Sequence, residues 1–167
     1  MPVRLIIIDA NILIDIEISG LVEQVFRLDY EFAVPDILYE EEITPYTSDF
    51  KGTALKAIEI DEDTNGLVLE KQDQYKNTTM SRNDISALVL AIKNECILLT
   101  GERDLRQTAN DEGVEVHGML WLIEQLFNNN LISINEVQAV YEKMKKGDSR
   151  LPWDKVEKQI EKFRKSK

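Results

Sequence analysis

Residues 4–15 read RLIIIDANILID, and the fold turns on this stretch. Leu5, Ile6, Ile7 and Ile8 are consecutive, apolar and β-prone, the pattern of a strand buried on both faces at the centre of a parallel sheet. The run stops at Asp9, a carboxylate standing where the strand leaves the sheet. Ligands of open α/β sheets bind at the carboxyl ends of strands, so Asp9 is the first candidate for chemistry. Asn11 is placed to cap the following helix, with Ile12, Leu13 and Ile16 on its apolar face. On that reading the Asp9 side chain is turned into a cleft.

Working outward, strands and helices alternate with short connections. Residues 11–28 read as one or two helices broken near Gly20, and 31–34 as a short strand. Pro35 and Asp36 open a helix that carries the run Glu40, Glu41, Glu42, with Pro in its first turn. A loop over 44–52 leads to an edge strand within 55–60, then a polar helix to about Tyr75. Residues 78–84 form a loop into a helix opened by Asp84, where Ile85, Leu88, Val89, Ala91 and Ile92 keep helical spacing. Residues 96–100 are a second buried strand. Gly101 to Asp104 turns into a helix reaching Asp111, followed by a strand at 114–116 and a helix at 120–127. Two amphipathic helices, 134–144 and 153–163, close the chain. Such alternation indicates βα units on a parallel sheet.

Composition narrows the chemistry. A chain of 167 residues with 43% hydrophobic and 31% charged side chains is that of an ordinary globule, with no apolar run of the ~18–20 residues a membrane span needs. The first strand starts at once, leaving no room for a signal peptide. Cys96 is the sole cysteine, which excludes an internal disulfide, fits a reducing cytoplasm and suits a small core residue. His117 is the sole histidine, so a His/Cys zinc site is excluded and any Ser-His-Asp or Cys-His arrangement would rest on that one ring. His117 stands at a strand-to-helix corner before Gly118. Carboxylates with a hard metal ion are the chemistry that remains. The net charge of −11 is uneven: residues 143–167 carry a local +6 and leave −17 on the rest. So acidic a body argues against non-specific nucleic-acid binding. The basic tail is either a solvated helix face or a contact for a phosphate backbone or a protein partner.

Acids recur at corresponding places. Asp9 ends the first strand, Glu40 lies one turn into the helix after the second, Asp84 opens its helix, and Glu102 and Asp104 follow Thr100. Each has a plainer use: Asp84 as a helix cap, Glu40 as solvated surface, Glu102 or Asp104 against a helix dipole. Brought to one sheet edge, such carboxylates repel one another and are stabilised by a hard cation. Oxygen-only ligation selects Mg²⁺ or Mn²⁺.

Taken together, these segments resemble the PIN-domain nucleases over most of residues 3–127. Ile-Ile-Ile-Asp9-Ala-Asn11 is similar to the opening motif, Val34-Pro-Asp-Ile-Leu-Tyr-Glu40 to the segment of the family glutamate, and Ser81-Arg-Asn-Asp84 to the start of the central helix. Leu99-Thr-Gly-Glu102-Arg-Asp104 is like the segment of the fourth acid, where Glu102 replaces the common aspartate and Asp104 is the other candidate. The resemblance implies an α/β/α sandwich over residues 1–130, with a mostly parallel sheet and a C-terminal helical extension over 131–167. It implies Mg²⁺- or Mn²⁺-dependent cleavage of RNA, with Asp9, Glu40, Asp84 and Glu102 catalytic; Asp9, Asp84, Glu102 and Asp104 are the metal-ligand candidates. Asn11 and Ser81 would support these acids or contact the phosphate. Many small members are toxins held by an antitoxin protein, and they often dimerise.

Three rivals stand beside it. A haloacid-dehalogenase-type phosphatase needs a second acid two residues after Asp9, where this chain has Asn11. A response-regulator receiver wants paired acids and a late strand-end lysine, and none follows Thr100. A PIN-fold protein that has lost catalysis and serves as a binding module fits the Glu102 departure and the acidic surface.

Overall fold

Alternation within the first strand sorts the core into two layers. In the computed structural model, which describes residues 3–166, β1 (Arg4–Ile8) buries Ile6 and Ile8 on one face and Ile7 on the other. Readings that touch Met1, Pro2 or Lys167 lie outside the described residues. Five strands, β1, β2 (Tyr30–Pro35), β3 (Lys56–Ile58), β4 (Ile97–Leu99) and β5 (Val116–His117), form one sheet in the order β3-β2-β1-β4-β5. Every pairing is parallel, with Ile6 beside both Phe32 and Ile97, and Ile7 beside Ala33 and Leu98. This order differs from the 2-1-3-4-5 order of receiver domains and sets that rival aside.

The face of Ile6 and Ile8 packs α1 (Ala10–Ser19), α2 (Val22–Val25), α7 (Met119–Asn128), α8 (Ile134–Lys146) and α9 (Trp153–Ser166). Val137, Val140 and Met144 of α8 and Val156 and Phe163 of α9 belong to the same buried cluster as Ile12 and Leu122. Phe163 stacks on Phe127 with ring centroids 4.1 Å apart, so the last helix is fastened to α7. The face of Ile7, Ala33 and Leu98 packs α5 (Arg82–Asn94) and α6 (Arg103–Asp111). Beyond α5 lies α4 (Glu62–Gln74), through Val68 against Ile85 and Val89, which is why Ile85 to Ala91 are all buried. The result is the expected α/β/α arrangement, with the sheet parallel throughout.

Several boundaries differ from the expected ones for local reasons. The break near Gly20 is a left-handed cap, φ 74°, ending α1. Pro35 closes β2, and the helix begins one residue later as α3 (Asp36–Leu38), running directly into a π-helical segment, Tyr39–Ile43. The last strand starts at Val116, because the Val114 amide still donates to Ala109 O (2.8 Å) as the chain leaves α6. Lys56 of β3 is exposed at the sheet edge, as expected, and pairs with Glu31 of β2. Cys96 is half-buried, and burial pushes its thiol up to about 11, so it stays protonated and inert. Among the described residues, no helix is long and apolar enough to cross a membrane.

Candidate active site

The sheet order reverses between β1 and β4, since β2 and β3 lie on one side of β1 and β5 lies beyond β4. A crevice opens where connections depart in opposite directions, and Asp9 and Thr100 are the residues just past those two strands. The Asp9 amide donates to Leu99 O (2.9 Å), which holds the two strand ends together. Asp9 also caps α1: its Oδ1 accepts from Ala10 N at 2.8 Å. This corrects the reading in which Asn11 caps the helix. Asp9 leaves the strand in an extended conformation, so the helix begins at Ala10 and Asn11 falls inside its first turn. The other oxygen, Oδ2, accepts from Thr100 Oγ1 at 2.8 Å. Only 1% of Asp9 is exposed.

A carboxylate so enclosed resists ionisation. Burial raises the Asp9 pKa from 3.8 to about 7, with the carboxylates of Asp84 and Glu42 adding to the rise; the bonds from Thr100 and Ala10 pull it back. Asp84 therefore stands within electrostatic reach of Asp9, although it does not open its helix. Ser81 is the cap of α5: its Oγ accepts from Asp84 N (3.1 Å), and Asp84 Oδ2 accepts from Ser81 N (3.0 Å). This reciprocal capping box satisfies two orphan amides and fixes the Asp84 carboxylate at the helix start. Replacing Ser81 with alanine is expected to cost about 1 kcal/mol, a fall of about 2–4 °C in Tm for a chain of this size, read by thermal unfolding.

The glutamate beside these aspartates is Glu42, two residues past the expected Glu40. The Glu42 carboxyl is raised by burial and by Asp84, and its Oε2 accepts from Asn83 Nδ2 at 2.9 Å. Residues two apart on a helix do not share a face, so with Glu42 turned to α5, the exposed Glu40 is turned away. The wide turn explains the shift: Thr44 N donates to Tyr39 O (2.9 Å), an i to i+5 bond that displaces the helical phase. Leu38 and Ile43, both buried and five apart, are the sequence trace of that turn.

Neither candidate for the fourth acid joins this group. Glu102 lies at the exposed rim and accepts from Asn11 Nδ2, so the two residues close on each other across the mouth. Asp104 Oδ2 accepts from Thr79 N (2.9 Å) and Thr79 Oγ1 (2.8 Å), which anchors the loop before α5 and holds its carboxyl below its ordinary value.

A protein-family model described as a PIN domain matches residues 5–165. The chain belongs to the PIN-domain family. That family is of nuclease type, and the match runs through α8 and most of α9 as well as the sheet. No curated protein matches the chain.

Within this PIN domain the donor chemistry suits a hard cation. Asp9, Asp84 and Glu42 offer oxygens only, and each carboxylate oxygen that accepts one hydrogen bond keeps a further lone pair. Among the described residues, no three His, Cys, Asp or Glu side chains stand close enough together to enclose an ion. The raised Asp9 carboxyl reflects burial first and the neighbouring Asp84 and Glu42 carboxylates second. Thr100 and Asn83 carry no charge and gave no sequence signal of their own, yet they orient Asp9 and Glu42.

Proposed function

We propose that this PIN domain is a metal-dependent endoribonuclease in which Asp9, Asp84 and Glu42 hold Mg²⁺ or Mn²⁺. The observation that supports it is the buried Asp9, whose carboxyl is opposed by two neighbouring carboxylates at the switch point of the sheet. A divalent ion there supplies a bound water of lowered pKa and neutralises charge on a phosphoryl group. The chain's own part is to present the acids. Thr100 Oγ1 and the Ala10 amide fix both Asp9 oxygens, the Ser81 capping box fixes Asp84, and Asn83 fixes Glu42. Below neutral pH, Asp9 carries a proton that competes with the ion, so metal affinity weakens as pH falls through about 7.

The direct test is Mn²⁺ titration by calorimetry, followed by cleavage of a structured and a single-stranded RNA, for the wild type and Asp84→Asn. The variant keeps its helix, because an asparagine oxygen can still accept from Ser81 N. It should weaken Mn²⁺ binding and abolish cleavage. A fully active Asp84→Asn enzyme would sink the assignment. The toxin of a toxin–antitoxin pair is one setting for such an enzyme, and induced expression should then arrest growth with the wild type but not with the variant. The engagement of Glu102 with Asn11 favours a second reading, an inert binding module. A folded wild type that binds no Mn²⁺ would select that reading.

A further inference from the structure

Two cavities meet at Gly101, next to Glu102 at the rim of the site. The first, about 540 Å³, runs between α1, the β4–α6 connection and the α8–α9 connection, and is lined by Asn11, Glu102, Arg103 and Arg150 among others. The second, about 360 Å³, continues past Gly101, Met119, Arg150 and Leu151, which line both. They form one groove with a polarity. The first cavity is of mixed charge, with Asp15, Glu102 and Asp148 beside Arg103 and Arg150, whereas the second, the far end, is lined by Arg106, Arg150 and Lys155 and, among the described residues, by no carboxylate. This is notable in a chain of net charge −11.

The far end is built and held. Arg106 Nη1 donates to Thr100 O (3.1 Å), the residue whose hydroxyl orients Asp9, and its guanidinium sits close to Gly118, where a Cβ would come within 2.5 Å of Nη1. The α8–α9 connection is tied to α1, with Ser149 Oγ donating to Asp15 Oδ1 (2.7 Å) and Gly147 packed on Ile18. Arg150 is exposed, and neither it nor Lys155 makes an ion pair among the described residues.

We propose that this groove holds the phosphate backbone of a single-stranded RNA, with Arg150 and Lys155 of the C-terminal helical segment gripping phosphates that lie beyond the acids. The inference rests on the nuclease reading above and names the path of its substrate. It gives the basic tail a purpose: cations placed away from the acids hold the strand while leaving the acids free for an ion. An RNA backbone and an acidic protein segment both present repeating anions, and the nuclease reading favours the RNA.

The test is fluorescence anisotropy with a labelled RNA of about ten nucleotides, a length in the usual range for single-strand sites, in EDTA so that no cleavage occurs. The Arg150→Ala/Lys155→Ala double variant, altered only at exposed positions, should bind about tenfold or more weakly. Its salt dependence should fall by about 1.4 in log–log slope, at about 0.7 for each phosphate that is no longer neutralised. The charge-keeping pair Arg150→Lys/Lys155→Arg should restore most of the affinity and the slope. Unchanged affinity and slope in the double variant would overturn the proposal. So would a poly-glutamate peptide that binds the wild type as tightly as the RNA does and depends on the same two residues. Mn²⁺ calorimetry on the same proteins separates the two readings. RNA binding that disappears in the double variant supports the groove even where no Mn²⁺ binds, and only the metal-dependent reading then falls.

Discussion

Replacing Asp9 with asparagine is expected to stabilise the metal-free protein at pH 8, by up to about 4 kcal/mol, and to change it little at pH 4. The sign follows from where the proton sits. The folded Asp9 carboxyl has its pKa raised from 3.8 to about 7, whereas in the unfolded chain it returns to the ordinary value. Between those limits the folded state keeps a proton that the unfolded state has released, so stability declines as pH rises from about 4 to about 7 and is level above. Asparagine carries no such charge. Its oxygen can accept from Ala10 N, and its amide can face Thr100 Oγ1, so the two local bonds have replacements. Urea unfolding in EDTA at pH 4 and pH 8 reads the difference. A gain of the same size at both pH values would show that Asp9 is not the strained group. Adding Mn²⁺ should narrow the gap, since an ion at 100 times its Kd stabilises the wild type by about 2.7 kcal/mol and has no such hold on the variant.

The second prediction separates neighbours in one acidic run. Glu42→Gln should weaken Mn²⁺ binding by at least about 10–100-fold, the scale already reached when an outer-shell partner of a metal ligand is lost, while Glu40→Gln should leave it within about twofold. Both changes are isosteric and both positions are exposed, so differences in folding do not cloud the comparison. Asn83, which donates to Glu42 at 2.9 Å, should share its effect at a smaller scale. The reverse pattern, with Glu40 sensitive and Glu42 silent, would mean that the π-helical turn is not the working conformation.

Much of the fold was legible because burial writes itself into sequence as periodicity. Leu5 to Ile8 read as a strand covered on both faces and residues 85–92 as a helix, whereas the burial of every residue from Ile85 to Ala91 came from α4 covering its outer side. The edge position of β3 showed in its Lys56. Asp9 was legible for the same reason, as a charge that interrupts an apolar strand at the point where chains diverge. Asp84 was legible as an acid at a helix start, but its partner was harder to place: whether Ser81 or Asp84 is the cap depends on one residue of helix register.

Local sequence was enough for the strand–helix alternation, the central strand and the two aspartates at element ends, since each is a direct consequence of where apolar residues stop; the three-layer order came with the family resemblance. The rest was settled by packing between distant segments. Which of three consecutive glutamates faces Asp84 depends on an i to i+5 bond that shifts the phase of a short helix, and no spacing rule for α-helices contains it. Whether Glu102 meets Asp9 or Asn11, and whether Asp104 meets an ion or Thr79, are contests between partners many residues distant in the chain, settled by which arrives within hydrogen-bond reach. The cationic groove belongs to the same class. Arg106 and Arg150 become neighbours because Ser149 pins a C-terminal connection to α1, and charge carries no periodicity that would announce it.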